Sequence, residues 1–467
     1  MTDNNLQQEK KYSLQKIVAE AFLIFLPLRM ISVFFVLTEP LGKMAESLSF
    51  IFHVLGLVLL ITSNNMFYKD EQTPIVKTFL RMTLCFSIIS LVMMIYIDYN
   101  YGTYNGESPV IASVKTIICF IQYALIFIYS KEVFRCLDED KIIKCLVWAT
   151  RIPLTIGFLQ IAELRGFPVL NTIYYFIADF FRWKIYPDQI ALTFMEPSWA
   201  AMFIGIIVIP LHMSRLIREN FKNKKIILEL MLWLPVILMT KSTTAYLLTF
   251  SSLGLSFVYA IFKSSVSYRF KIFSLIVLIA GFVFMASLEY ADEFFGFNFA
   301  YRMQDKVFDI DNNRSTSSRT ILFFLNWEVF KQFPIFGCGN GLQGYFFRSL
   351  ESLPKAYQSL SFSENVYDLL NGVSSSVPNG QLFLPGILSG YGLFGIILFL
   401  GFLLKSLKMV IKNLDRYGCF GIMYILSLFS ILVSSLKSEF IGVIYIWFVF
   451  SIPYAVKLKK KDKDEEK

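Results

Sequence analysis

About a dozen apolar runs crowd this chain, each near the ~20 residues that a helix needs to cross a bilayer's hydrocarbon. They fall near residues 17–37, 45–62, 77–97, 110–130, 142–162, 190–211, 225–240, 244–262, 271–288, 382–404, 417–435 and 439–456. Backbone N–H and C=O groups find no water in lipid, so such runs must close their hydrogen bonds within themselves as helices. The pattern predicts an all-α polytopic membrane protein of about 12 transmembrane helices. Composition agrees: 17% of the 467 residues are charged, against about 25% in soluble domains, and 49 phenylalanines suit lipid-facing surfaces.

The net charge of +9 does not point to nucleic acid, because the basic residues sit in short connections between apolar runs and no soluble basic domain carries them. Lys131, Arg135, Lys141 and Lys144 share one such connection, and Arg215, Arg218, Lys222, Lys224 and Lys225 another. With the first residues inside, these basic connections all face the cytoplasm, while the opposite connections hold single lysines such as Lys43, Lys241 and Lys437. Both termini are therefore expected in the cytoplasm, with residues 457–467 as a tail of mixed charge. The polar start, Met1 to Lys16, precedes a full-length run and reads as an uncleaved first helix. Six scattered cysteines form no CxxC pair, so neither a zinc site nor a disulfide framework is expected.

Residues 1–288 thus hold the first nine helices, and residues 382–456 the last three. Between them, 289–381 is a long outer segment with helical patches, and stretches of that length are functional or disordered. A shorter outer segment, 163–189, is rich in aromatics; stacking on sugar faces and anchoring at the membrane interface are both open to it.

Charges inside apolar runs are costly and mark functional sites unless they pair. Arg29, Lys115 and Arg151 are candidates for either role, whereas Arg81 and Glu229 lie near helix ends and are expected to snorkel. Glu196 stands apart, in Met195-Glu196-Pro197-Ser198 near the outer start of a helix. Half-burial there would push its pKa towards a general base's range. The large loop carries Arg302, Lys306, Arg314 and Arg319, and guanidinium groups suit bidentate binding of phosphate. Asp309-Ile310-Asp311 and the glycines at 337, 339 and 341 are short matches to metal and nucleotide motifs. The glycines follow a helix-like segment rather than a strand, so they read as a turn. His53 and His212 read as structural.

Four stretches carry a resemblance. They are Phe194-Met195-Glu196-Pro197-Ser198-Trp199-Ala200-Ala201; Met239-Thr240-Lys241-Ser242-Thr243-Thr244-Ala245; Ser317-Ser318-Arg319 with Asn326-Trp327 and Phe333-Pro334-Ile335-Phe336-Gly337-Cys338-Gly339; and Pro378-Asn379-Gly380 leading to Ser389-Gly390-Tyr391-Gly392-Leu393-Phe394-Gly395. In order and placement they resemble the Wzy-type O-antigen and capsule polymerases, in a superfamily shared with O-antigen ligases. Thr243 replaces an arginine common in relatives, and Pro378 stands where ligases carry a histidine.

The resemblance implies a GT-C-like fold in the bacterial inner membrane and a glycosyltransferase that needs no cofactor or metal. Its donor and acceptor would be oligosaccharides on undecaprenyl diphosphate, among membrane lipids and alongside a chain-length regulator. It also implies that Glu196 and Arg319 are catalytic, with Arg302, Arg314, Lys241 and Asn379 binding diphosphate or glycan. A ligase that transfers the glycan to a lipid core, and a flippase for the same lipid, are the alternatives.

Overall fold

The computed structural model describes residues 3–29, 46–62, 73–103, 108–181, 183–262, 266–286, 314–347, 383–435 and 443–455. Every regular element among them is a helix. The first half holds α1 (Asp3–Ile24), α2 (Leu48–Thr62), α3 (Thr73–Tyr101), α4 (Pro109–Cys136), α5 (Glu139–Leu164), α6 (Pro168–Phe181) and α7 (Pro197–Arg218). After it come α8 (Lys224–Met239), α9 (Thr243–Phe262), α10 (Tyr268–Ala286), α11 (Arg314–Gln332) and α12 (Gln343–Phe347). The chain closes with α13 (Phe383–Lys412), α14 (Leu414–Tyr417), α15 (Cys419–Ser434) and α16 (Ile444–Ala455). Six of these, α3, α4, α5, α7, α9 and α13, are long and apolar enough to cross a membrane; α2, α15 and α16 are shorter apolar helices.

The boundaries depart from the apolar runs where proline intervenes. Within the run 17–37, α1 ends at Ile24, and residues 25–29 leave it around Pro27, whose missing N–H cannot continue the ladder. Likewise the run that begins at 190 becomes helical only at Pro197.

The bundle is built around α7. Within its apolar window 94% of residues are buried, against 28–56% in the other five long helices, and α5, α8, α9 and α15 pack against it. It widens into π geometry over Ile204–Val208, a departure that calls for a cause. Pro210 has no N–H to give the carbonyl one turn back, at Ile206. The Ser427 hydroxyl of α15 donates to that carbonyl instead, at 2.6 Å. Two residues on, the Val208 carbonyl faces His212 Nδ1 at 2.9 Å. Elsewhere the core is aromatic: Tyr123 of α4 stacks on Trp447 of α16 with centroids 4.5 Å apart, and Phe79 of α3 on Phe127 of α4 at 4.4 Å.

A second departure from regular geometry lies in α13, which breaks at Gly392 with φ of 61°. The break exposes backbone groups on both sides, and the turn after α11 takes them up. Cys338 N donates to Ser389 O at 3.0 Å and Gly339 N to Gly390 O at 2.8 Å. In return Leu393 N donates to Pro334 O at 2.9 Å and Phe394 N to Ile335 O at 3.0 Å. The Ser389 hydroxyl adds a 2.5 Å bond to Asn326 Oδ1 of α11. A Cβ on Gly337, whose φ is 69°, would come within 2.2 Å of Gly390 C. The closely spaced glycines thus serve backbone-to-backbone approach, as the sequence reading of a turn expected.

Two consequences are measurable by thermal denaturation in detergent. Ser427→Ala strands the Ile206 carbonyl and is expected to cost about 1–3 kcal/mol. Gly337→Ala combines left-handed strain with the clash and is expected to cost more than Gly166→Ala. At Gly166, φ is also positive but nothing lies within 4 Å of the added Cβ, leaving the strain alone at about 1–2 kcal/mol.

Candidate functional site

Between α6 and α7 the chain runs without helix from Trp183 to Glu196, and its neighbours hold it down at nearly every turn. Trp183 Nε1 donates to Arg29 O at 3.0 Å, and Thr193 Oγ1 to Pro27 O at 2.6 Å. Gln160 of α5 grips Leu192 by both backbone groups, accepting from its N at 2.8 Å and donating to its O at 3.0 Å. Leu192 sits at φ 57°, a conformation that a non-glycine residue keeps only when its surroundings impose it. Ile190 N donates to Met239 O at 3.1 Å, tying the segment to the end of α8.

This segment delivers Glu196 to the lip of the bundle. Glu196 is the N-cap of α7, with Pro197 at the first helical position. Pro197 presets the helical φ and lacks only an N–H that the first turn would leave unbonded. The Glu196 carbonyl accepts from Trp199 N at 3.0 Å and Ala200 N at 3.2 Å. Its carboxylate makes no capping bond to the helix; the Ser198 hydroxyl donates to it at 3.1 Å. The side chain is exposed, where the sequence led us to expect half-burial. The reason is the helix start: Glu196 lies just outside the first turn rather than within it. Tyr186 donates to Met195 O at 2.7 Å, and burial, with the Glu196 charge beside it, pushes the Tyr186 phenol up from its ordinary pKa.

Arg319, on the second turn of α11, comes to the same place. It is half-buried; burial lowers its guanidinium pKa, and the Glu196 carboxylate acts in the opposite sense. The two side chains feel each other's charge, yet no ion pair joins them among the described residues. Lys241 is bound to the same segment through Asp188 at 3.3 Å, in the turn that the resemblance singled out. Arg314 opens α11, while Arg302 and Asn379, like the Asp309–Asp311 pair, lie outside the described residues. No group of three His, Cys, Asp or Glu side chains gathers at metal-ligand spacing among the described residues.

Behind the lip stands Arg29, which is 3% exposed. It pairs with Glu46 at 3.5 Å and lies 4.3 Å over the ring of Trp199, three residues past Glu196. Of the two roles the sequence left open for Arg29, the pairing role is what its geometry displays. Trp199, Tyr186, Ser198 and Asp188 were not singled out as functional residues from sequence. The first and third sit in the quoted Glu196 motif and Tyr186 belongs to the aromatic segment 163–189, whereas nothing about Asp188 marks it before the chain is folded.

A separate charged cluster lies at the far end of α7. Glu229 of α8 bonds to Arg151 of α5, to His212 Nε2 at 3.2 Å and to Arg215 at 3.7 Å. One carboxylate thus ties three helices, and Glu229 does not snorkel to water as its position near a helix end suggested. Arg151 in turn lies 5.1 Å over the exposed ring of Trp148.

Compared with known proteins, the chain matches no family model and no curated protein.

The Arg29 pair generates a stability test. Arg29→Ala removes the ion pair made to the buried Glu46 and is expected to cost about 3 kcal/mol in detergent melts. Adding Glu46→Ala takes away the other half of the pair and is expected to cost less than the sum of the two single changes.

Proposed function

We propose that this chain is a polysaccharide polymerase of the Wzy type, joining oligosaccharide repeats carried on undecaprenyl diphosphate at the outer face of a bacterial inner membrane. On this reading the helices form a GT-C-like bundle of about 12 spans with both termini cytoplasmic, and Glu196 lies at its outer end. The observation that carries the proposal is the approach of Glu196 and Arg319: motifs from two distant parts of the sequence, opposite in charge, come within electrostatic reach of one another without an ion pair. Lys241, from a third quoted motif, is tied to the same segment. The fourth motif bonds backbone-to-backbone with the Pro334–Gly339 turn that follows the Arg319 helix.

The chemistry needs little more than this. The acceptor sugar hydroxyl attacks the anomeric carbon of the donor glycan. The new glycosidic C–O bond forms as the bond to diphosphate breaks, and undecaprenyl diphosphate leaves with the electron pair. Fixed positive charge beside the departing diphosphate lowers that barrier without reorganising at the moment of reaction. Arg319, with Arg302, Arg314 and Lys241, supplies the charge, and Asn379 contributes to glycan binding. Glu196 receives the proton of the attacking hydroxyl or positions that hydroxyl. An exposed carboxylate with no capping bond to make is available for either task.

The test is complementation of a host lacking the gene, with surface and lipid-linked glycans resolved by size. Arg319→Ala and Glu196→Gln, each expressed at wild-type level, are expected to reduce polymer by about a hundredfold, the scale of losing one transition-state donor or one general base, and to leave single repeats. Arg319→Lys keeps the charge but not the fork and should recover part of the activity. Full-length polymer stranded on undecaprenyl diphosphate in the deletion would make the protein a ligase instead. An unchanged ladder in the two variants would remove the site assignment.

A further inference from the structure

The surface of α6 divides into three sectors that its role as a connector does not require. Tyr174 and Ala178 point into the protein, where they pack with Leu28, Ile156 and Trp183. To one side of that edge, Val169, Ile173, Phe176 and Phe180 follow one another at i, i+4, i+7 and i+11. At 100° per residue they make one continuous stripe, and they are 74%, 46%, 77% and 58% exposed. On the other side, Thr172, Tyr175 and Asp179 make an exposed polar stripe, and Tyr175 directs its hydroxyl to Glu163 at 2.8 Å. A helix in water has no reason to expose four large apolar side chains in line; a helix at a membrane surface does.

The placement of α6 supplies a second, independent observation. It returns against the last turns of α5, a helix long and apolar enough to span. Phe167 N donates to Ala162 O at 3.1 Å, and Gln160 Nε2 donates to the Tyr174 hydroxyl at 3.1 Å. If α5 crosses the bilayer, α6 is held at the level where that crossing ends. With protein on one side and a polar stripe for the water layer on another, the remaining apolar stripe has one suitable occupant.

We propose that α6 lies in the bilayer interface at the Glu196 end of the bundle, with Val169, Ile173, Phe176 and Phe180 inserted among lipid acyl chains. It is more than a passive anchor, because its far end is wired to the site. Phe181 stacks on Trp183 with centroids 4.7 Å apart, and Trp183 bonds to the backbone of Arg29, which packs on Trp199. The lipid leaflet therefore bears, through one short helix, on the wall that sets the start of α7. The inference stands whether or not the chain is a polymerase.

The experiment replaces Phe176, Ile173 or Asp179, one at a time, by the photo-reactive p-benzoylphenylalanine in the full-length protein. Each variant is reconstituted into vesicles of phosphatidylethanolamine and phosphatidylglycerol, irradiated and analysed by mass spectrometry. The large aromatic replacement at exposed positions leaves the core untouched, and detergent melting verifies the fold of each variant. Phospholipid adducts at 173 and 176, several-fold above those at 179, are the expected result. Equal adduct yields at 176 and 179, or a yield at 176 no higher than without lipid, would overturn the proposal. So would covalent dimers at 176 in place of lipid adducts, which would assign the stripe to a second copy of the chain.

Discussion

Buried among apolar helices, a backbone N–H or C=O has no water to fall back on, and leaving one unbonded costs about as much as a lost hydrogen bond. Much of the architecture follows from how this constraint is met where helices deviate. Pro210 takes a donor away from α7, and Ser427 of α15 answers the freed carbonyl. Gly392 breaks α13, and the turn after α11 takes up four of the exposed groups. Gln160 satisfies both backbone groups of Leu192 where the chain can be neither helix nor strand. In each case a local irregularity fastens two distant parts of the chain together.

These fasteners position the candidate site. The clamp between the Pro334–Gly339 turn and α13 fixes the end of α11, and so the helix that carries Arg319. Grips on residues 183–196 fix the point where α7 begins, and so Glu196. Both residues are presented by the ends of rigid helices, which suits a site whose charges must stay put. The buried Arg29–Glu46 pair on Trp199 packs the first turn of α7 from behind. At the opposite end, Glu229 ties α5, α7 and α8 together through Arg151, His212 and Arg215. The central helix is thus held by charge at one end and by packing and backbone bonds along its length.

The apolar runs made the helices legible beforehand because length and composition report directly on the cost of burying backbone in lipid. The glycines at 337, 339 and 341 were readable as a turn, since no strand precedes them. Glu196 and Arg319 stood out because an acidic residue at the start of an apolar run and an arginine in a long connection are conspicuous by type. The exposure of Glu196 was not legible, because it depends on where α7 begins. Pro197 sets that start, not the beginning of the apolar run.

By itself, then, the sequence determined the helical class, the approximate extent of most apolar helices and the residue types able to do chemistry, because each follows from the free energy of local segments. Folding decided what those residues do to one another: that Glu196 and Arg319 come within reach of each other's charge without pairing, that Arg29 is bound to Glu46, and that Glu229 gathers Arg151, His212 and Arg215. It also decided which side of α6 faces the protein. Tyr174 and Phe176 look alike in a list of aromatics, and only the packing of α6 on α5 buries the first and exposes the second. Such relations depend on distances between segments remote in sequence, which no local pattern records.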